Sequence, residues 1–198
     1  MLRQPYRIQT AGAGLQPLRV ETRPAIWPPL WSKVDLKDTA VTPKYALIEI
    51  ERRWLVDLDR IGSLAEHPFR KIDDLYIAGS RLRLRRVETR DGEVVYKLGK
   101  KYGKRDNWGE PVTSLYLTRD EYVVLASLVG ARAGKVRYSV AGGSLDVYVS
   151  PRSGLAIFET EFATDEAART YCPPDFVTNE VTSDENYCGR TIAETPPA

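Results

Sequence analysis

The stretch YALIEIERRWLV, residues 45–56, supports two readings at once. Its residue types suit a β-strand, in which side chains two apart share a face. Glu49, Glu51 and Arg53 then lie on one side, with Ile48, Ile50, Arg52 and Trp54 on the other. An ordinary half-buried strand turns its apolar side to the core and its polar side to water. Whether this charged face is merely wet, or lines something, depends on its counterparts elsewhere in the chain.

Segments 75–87, 93–101, 111–117, 135–140, 144–149 and 155–162 also read as strands, with turn signals at Asp91-Gly92, Gly142-Gly143 and Ser153-Gly154. Arg81, Arg83 and Arg85 share a face, as do Lys97, Gly99 and Lys101, and Lys135 with Arg137. Asp146 lies with Tyr148, and Glu159 with Glu161. Basic pairs and glutamate pairs thus fall on different strands, whereas solubilising faces usually intersperse the two signs. TRDEYVVLASLVG reads as a helix in which Thr118 is the cap, Glu121 completes a capping box and Gly130 is the C-terminal glycine. TDEAARTY, residues 164–171, is a second short helix, and 58–66 is a candidate third. Many antiparallel strands with a few helices predict an α+β fold built on a barrel or strongly curled sheet.

A chain of 198 residues suits one domain, and its 42% hydrophobic and 28% charged residues are ordinary for a globular protein. The net charge of +2 says little about partners. No stretch approaches the roughly 20 apolar residues of a membrane span, and MLRQPYRIQT lacks the apolar core of a secretory signal. With Cys172 and Cys188 read as free thiols, a reducing cytoplasm is the expected setting. The single histidine, His67, excludes a multi-histidine metal centre, and EHPFRK around it reads as a helix end before Pro68. Residues 1–43, with the run RPAIWPPLW, read as an irregular N-terminal extension anchored by Trp27 and Trp31 or, alternatively, as a partner-binding tail, ahead of a domain at 44–198.

If the charged faces point into a closed barrel, burying them is costly unless a ligand completes the set. Carboxylates at i and i+2 stand roughly 6.6 Å apart at their backbones, so two pairs on neighbouring strands can converge on hard cations. Oxygen-only ligands favour Mg²⁺ or Mn²⁺. Arginine forks and lysine point charges suit phosphate oxygens. A basic wall facing an acidic, metal-holding wall describes a site for a polyphosphate and its metal.

These residues resemble the CYTH superfamily, the triphosphate tunnel metalloenzymes. EIERRWLV is similar to its E-x-E-x-K signature, and RLRLRR, the lysine strand, KVRY, LDVYVSPRSGLAIFETEF and EVTSDENYCGRTIA follow in the family's order, over about residues 44–194. The resemblance implies a closed eight-stranded antiparallel barrel with peripheral helices and a charged lumen. It implies metal-dependent hydrolysis of a small triphosphate, tripolyphosphate foremost, with ATP and thiamine triphosphate as further candidates. Glu49, Glu51, Asp146, Glu159 and Glu161 would hold the metal. Arg53, Arg81, Arg83, Lys97, Lys101, Lys135 and Arg137 would bind phosphate, with Lys97 and Lys101 both open as the third-strand lysine. Glu49, Glu51 and Arg53 would form the catalytic set.

Two departures qualify the carry-over. Arg53 stands at the signature lysine position and cannot readily shed a proton. Thr113, Ser114 and Tyr116 stand on a strand where many members carry further glutamates, which weakens the metal wall and leaves the metal count open. The alternatives are a polyphosphate- or nucleotide-binding module without strong catalysis, and a class IV-type adenylate cyclase. A nucleic-acid partner is disfavoured because the acidic pairs would repel its backbone, a membrane partner is not expected, and the oligomeric state is left open.

Overall fold

A computed structural model describes residues 42–104 and 109–196. Trp27 and Trp31, and nearly all of the expected extension, lie outside the described residues. Among the latter, the strands are β1 (Leu47–Val56), β2 (Phe69–Ile77), β3 (Leu82–Thr89), β4 (Val94–Lys101), β5 (Gly109–Leu117), β6 (Gly130–Val140), β7 (Gly143–Ser150), β8 (Ala156–Phe162) and β9 (Val177–Glu180). Three helices accompany them: α1 (Arg119–Ala126), α2 (Asp165–Thr170) and α3 (Gly189–Glu194). The strands run antiparallel in the order β5-β4-β3-β2-β6-β7-β8-β1, and β1 also pairs with β5. That pairing closes an eight-stranded barrel, and β9 extends the far half of β1 at Trp54 and Val56.

β1 can serve three neighbours because its length is divided among them. Residues 47–50 pair with β5, and residues 50–55 pair with β8 on the other edge. Trp54, 3% exposed, packs outward against Phe158 and Tyr171, with ring centroids 6.1 and 5.7 Å away. Two further outer patches seal the barrel. Leu75, Ile77 and Leu84 pack with Tyr122 and Leu125 of α1. Val140, Leu145 and Ala156 pack beneath Leu58, Ile61, Leu64 and Phe176.

The inside has its own apolar layer. Ala133, Tyr148 and Ile157 share the parity of the lumen charges and pack against Ile192 and Ala193 of α3. The segment leading into α3 is tied to several points at that same end. Arg190 donates to the Ser80 carbonyl in the β2–β3 turn, and Arg152 of the β7–β8 turn donates to the Asn186 carbonyl. Lys104, following β4, donates to the Thr182 carbonyl, and Arg53 of β1 donates to the carbonyls of Thr182 and Tyr187. Residues 182–190 therefore lie across one mouth of the barrel.

Several local expectations change. The run 75–87 is not one strand: it breaks at Gly79, where φ is +65° in the β2–β3 turn. Phe69–Ile77 escapes the sequence pattern because FRKIDDLYI mixes charged and apolar residues on both faces. Only a single 3₁₀ turn, Leu58–Arg60, forms within 58–66, and residues around His67 make a turn rather than a helix end. The capping box of Thr118 and Glu121 forms, but α1 ends at Ala126. Gly130 instead opens β6, where a Cβ would lie 2.2 Å from the Tyr76 carbonyl oxygen. Gly130→Ala must push β6 off β2 and is expected to cost roughly 1–3 kcal/mol, read from urea denaturation. An unchanged midpoint would contradict this packing.

Candidate active site

The lumen charges divide by strand into two halves. β5, β1 and β8 contribute Glu110, Glu49, Glu51, Glu159 and Glu161 to a cavity of about 610 Å³. β6, β2, β3 and β4 contribute Lys135, Arg137, Arg70, Arg83, Arg85, Lys97 and Lys101 to the same cavity. The register makes the acidic half unusual. Glu51 lies directly opposite Glu161, and Glu49 directly opposite Glu110. Like charges at such positions destabilise a sheet unless something stands between them. Burial, together with Glu49 and Glu51, raises the Glu161 carboxyl above its ordinary value.

The basic half is held in place by two buried aspartates. Asp146, fully buried, receives Arg137 through Nε and Nη2, each at 2.6 Å, and also the Lys135 ammonium. Burial alone would raise the Asp146 carboxyl, but Lys135 and Arg137 outweigh it and hold it below the usual carboxylate range. Expected among the metal ligands, Asp146 spends both oxygens on basic side chains that face the cavity. Asp74 plays the matching part on β2: Arg85 grips it in two hydrogen bonds of 2.6 and 2.7 Å, and Arg83 Nε lies 3.8 Å away. Arg137 also reaches Glu159, joining the two halves.

The other expected residues separate. Arg83 and Lys97 line the cavity, with Lys97 4.9 Å from the Tyr116 ring centroid. Arg81 precedes β3 and also lines the cavity, but it is exposed and donates to the Tyr102 carbonyl. Lys101 leaves the basic half: its nitrogen lies 2.6 Å from Glu49, 3.4 Å from Glu51 and 3.7 Å from Glu110. Burial would lower its pKa, but Glu51 and Glu49 raise it, so the ammonium stays charged. Arg53, 6% exposed, lines the cavity yet commits both terminal nitrogens to carbonyls of the C-terminal segment, while its Nε stands 3.9 Å from Glu51.

Glu110, Asp74 and Arg85 belong to the site although the sequence reading carried none of them into it. Arg85 was visible as the third member of R-x-R-x-R. Glu110 lies one residue before the run 111–117, and it supplies an acid to the very strand whose Thr113, Ser114 and Tyr116 suggested a weakened wall.

The donor set fits a hard divalent cation. The acidic half offers oxygen only, and Glu49 Oε2 is buried without a hydrogen-bond partner despite the nearby ammonium. Among the described residues, however, no three carboxylate, imidazole or thiol groups already converge as a metal cluster. Side chains must therefore move to form one.

No family profile matches the chain. A protein of Nitrosomonas europaea named inorganic triphosphatase is 36% identical over 73 residues, covering 34% of this chain and 48% of that protein. The chain itself is a closed eight-stranded antiparallel barrel with a charged lumen. It spans about half the length of that relative. A solved inorganic triphosphatase structure aligns at 23% identity over 76% of this chain and 97% of its own, with a TM-score of 0.49. A Bacillus halodurans protein with a proposed adenylate cyclase assignment aligns at 16% identity over 63% and 86%, with a TM-score of 0.41.

The ion pairs of the basic half make a pH prediction. Burial raises the Asp74 carboxyl, but Arg85 and Arg83 bring it down from 3.8 to about 2. A depressed folded pKa gives stability that is present above the ordinary value and is lost as pH falls toward about 2. Asp74→Asn strands two arginines and is expected to cost about 3–5 kcal/mol near neutral pH. Urea midpoints should show the gap between variant and parent narrowing between about pH 4 and pH 2. A gap that stays constant over that range would contradict the assignment.

Proposed function

We propose that this barrel is of the CYTH kind and hydrolyses inorganic tripolyphosphate with Mg²⁺ or Mn²⁺. The observation that carries this reading is the register that sets Glu51 against Glu161 and Glu49 against Glu110, across a lumen from Arg83, Arg85, Lys135 and Arg137. Glu49, Glu51, Glu159 and Glu161 would hold the cation, with Glu110 beside them. Bound there, the cation neutralises and orients phosphoryl oxygens. The arginine forks, pre-oriented by Asp74 and Asp146, bind the phosphate chain and stabilise charge as the terminal group transfers. Water attacks the terminal phosphorus, the bridging P–O bond breaks, and orthophosphate and pyrophosphate leave with the released proton.

Direct attack by water is supported by the nucleophile types present. Ser114 and Cys188 line the cavity, but His67 is not among its lining residues, and the Cys188 sulfur is engaged with Thr191 at the start of α3. Substrate choice follows from the walls. Aliphatic lining is scattered (Ile72, Val87, Val112), the lining rings of Tyr76 and Tyr148 carry Arg190 and Lys135 5.4 and 5.3 Å from their centroids, and the apolar end of the interior is filled by α3. Such a lumen suits a bare phosphate chain better than the base of ATP or the ring of thiamine triphosphate, and it sets the adenylate cyclase reading behind hydrolysis. The commitment of Arg53 to backbone carbonyls favours the second reading, a polyphosphate-binding module without strong catalysis.

A panel of tripolyphosphate, ATP and thiamine triphosphate, each with Mg²⁺ or Mn²⁺, separates these readings. Orthophosphate should appear fastest from tripolyphosphate. Glu159→Gln and Glu49→Gln should each lower turnover at least about a hundredfold while the melting curve stays near that of the parent. Near-normal activity of both variants in excess Mg²⁺ would contradict the metal assignment. Tight tripolyphosphate binding with no turnover across a pH series would establish the binding module instead.

A further inference from the structure

Lys101 belongs by sequence to the basic half and by geometry to the acidic one. It projects from the last residue of β4, and its ammonium sits among Glu49, Glu51 and Glu110 at 2.6, 3.4 and 3.7 Å. The other cations near the acids are fixed in place: Arg137, which reaches Glu159, is clasped by Asp146, and Arg53 by the carbonyls of Thr182 and Tyr187. The Lys101 side chain is 35% exposed and hangs on a flexible four-carbon stem, so it can leave without disturbing the sheet.

We propose that Lys101 is a tethered counter-ion that fills the carboxylate cluster of the empty tunnel and competes with the divalent cation for it. This rests on the reading of the acidic half as a cation site. The competition has a functional consequence. A metal entering alone must displace the ammonium into a lumen already crowded with arginines. A metal entering with a polyphosphate offers the ammonium a phosphate oxygen instead. Metal and polyanion therefore bind with positive coupling, each raising the affinity of the other by the same factor. The device keeps the tunnel charge-balanced when empty and favours the metal–polyphosphate complex over either ion alone.

The test is Mn²⁺ titration by calorimetry on the whole chain, without phosphate, for the parent, Lys101→Gln and Lys101→Arg. Lys101→Gln should bind Mn²⁺ at least about tenfold more tightly than the parent, and Lys101→Arg should stay close to the parent. Equal affinities across the three overturn the proposal while leaving the metal reading intact. No Mn²⁺ binding in any of them, even with tripolyphosphate present, overturns the metal reading and this proposal with it. A second readout needs no variant: the side-chain nitrogen resonance of Lys101 in ¹⁵N-lysine-labelled parent should shift on Mg²⁺ addition. A resonance unmoved at saturating Mg²⁺ overturns the proposal.

Discussion

Two pairs of glutamates placed opposite one another across adjacent strands are the constraint from which the site follows. Closing the barrel sets β1 between β5 and β8, and the register then fixes Glu49 against Glu110 and Glu51 against Glu161. Their Cβ atoms are too near for independent solvation, and the enclosing sheet limits their access to water. Cations must balance them. The far side of the lumen supplies cations, but most are clasped by Asp74 and Asp146, with Arg137 reaching across to Glu159. The result is a cavity with opposed charged walls, which a metal-bearing polyanion matches in both sign and order.

The buried aspartates explain how such a lumen stays folded. Each turns two mobile cations into a fixed fork, and each remains ionised because its partners outweigh the cost of burial. Rigid forks lose little freedom when a phosphate arrives. The acidic wall is the opposite case. Among the described residues, Arg137 reaches Glu159, Lys101 answers Glu49 and Glu51, and Arg53 stands farther off, while the carboxylates have yet to converge. Rigidity thus sits on the basic wall and adaptability on the acidic one.

Much of this was legible in the chain because strand parity is a strong signal. Glu49-x-Glu51, Arg83-x-Arg85, Lys135-x-Arg137 and Glu159-x-Glu161 all reach one cavity. The segregation of signs along the sequence became segregation around the barrel. What the sequence could not show was which strand neighbours which. Glu110 matters because closure brings β5 beside β1, and Lys101 reverses its expected side because β4 adjoins β5. Asp74 was hidden in a strand with no clean alternation, and Arg53 was claimed by a segment more than a hundred residues away. Gly130 looked like a helix stop, yet its small size answers to the Tyr76 carbonyl across a strand pair. Each of these depends on long-range pairing rather than on local pattern.

The most direct measurement is a crystal structure of the chain with Mn²⁺ and a non-hydrolysable imido analogue of tripolyphosphate, read by anomalous scattering. The account predicts a manganese peak on the wall of Glu49, Glu51, Glu159 and Glu161. It places the phosphate chain against Arg83, Arg85, Lys135 and Arg137. An anion bound outside the barrel, or manganese away from that wall, would contradict it.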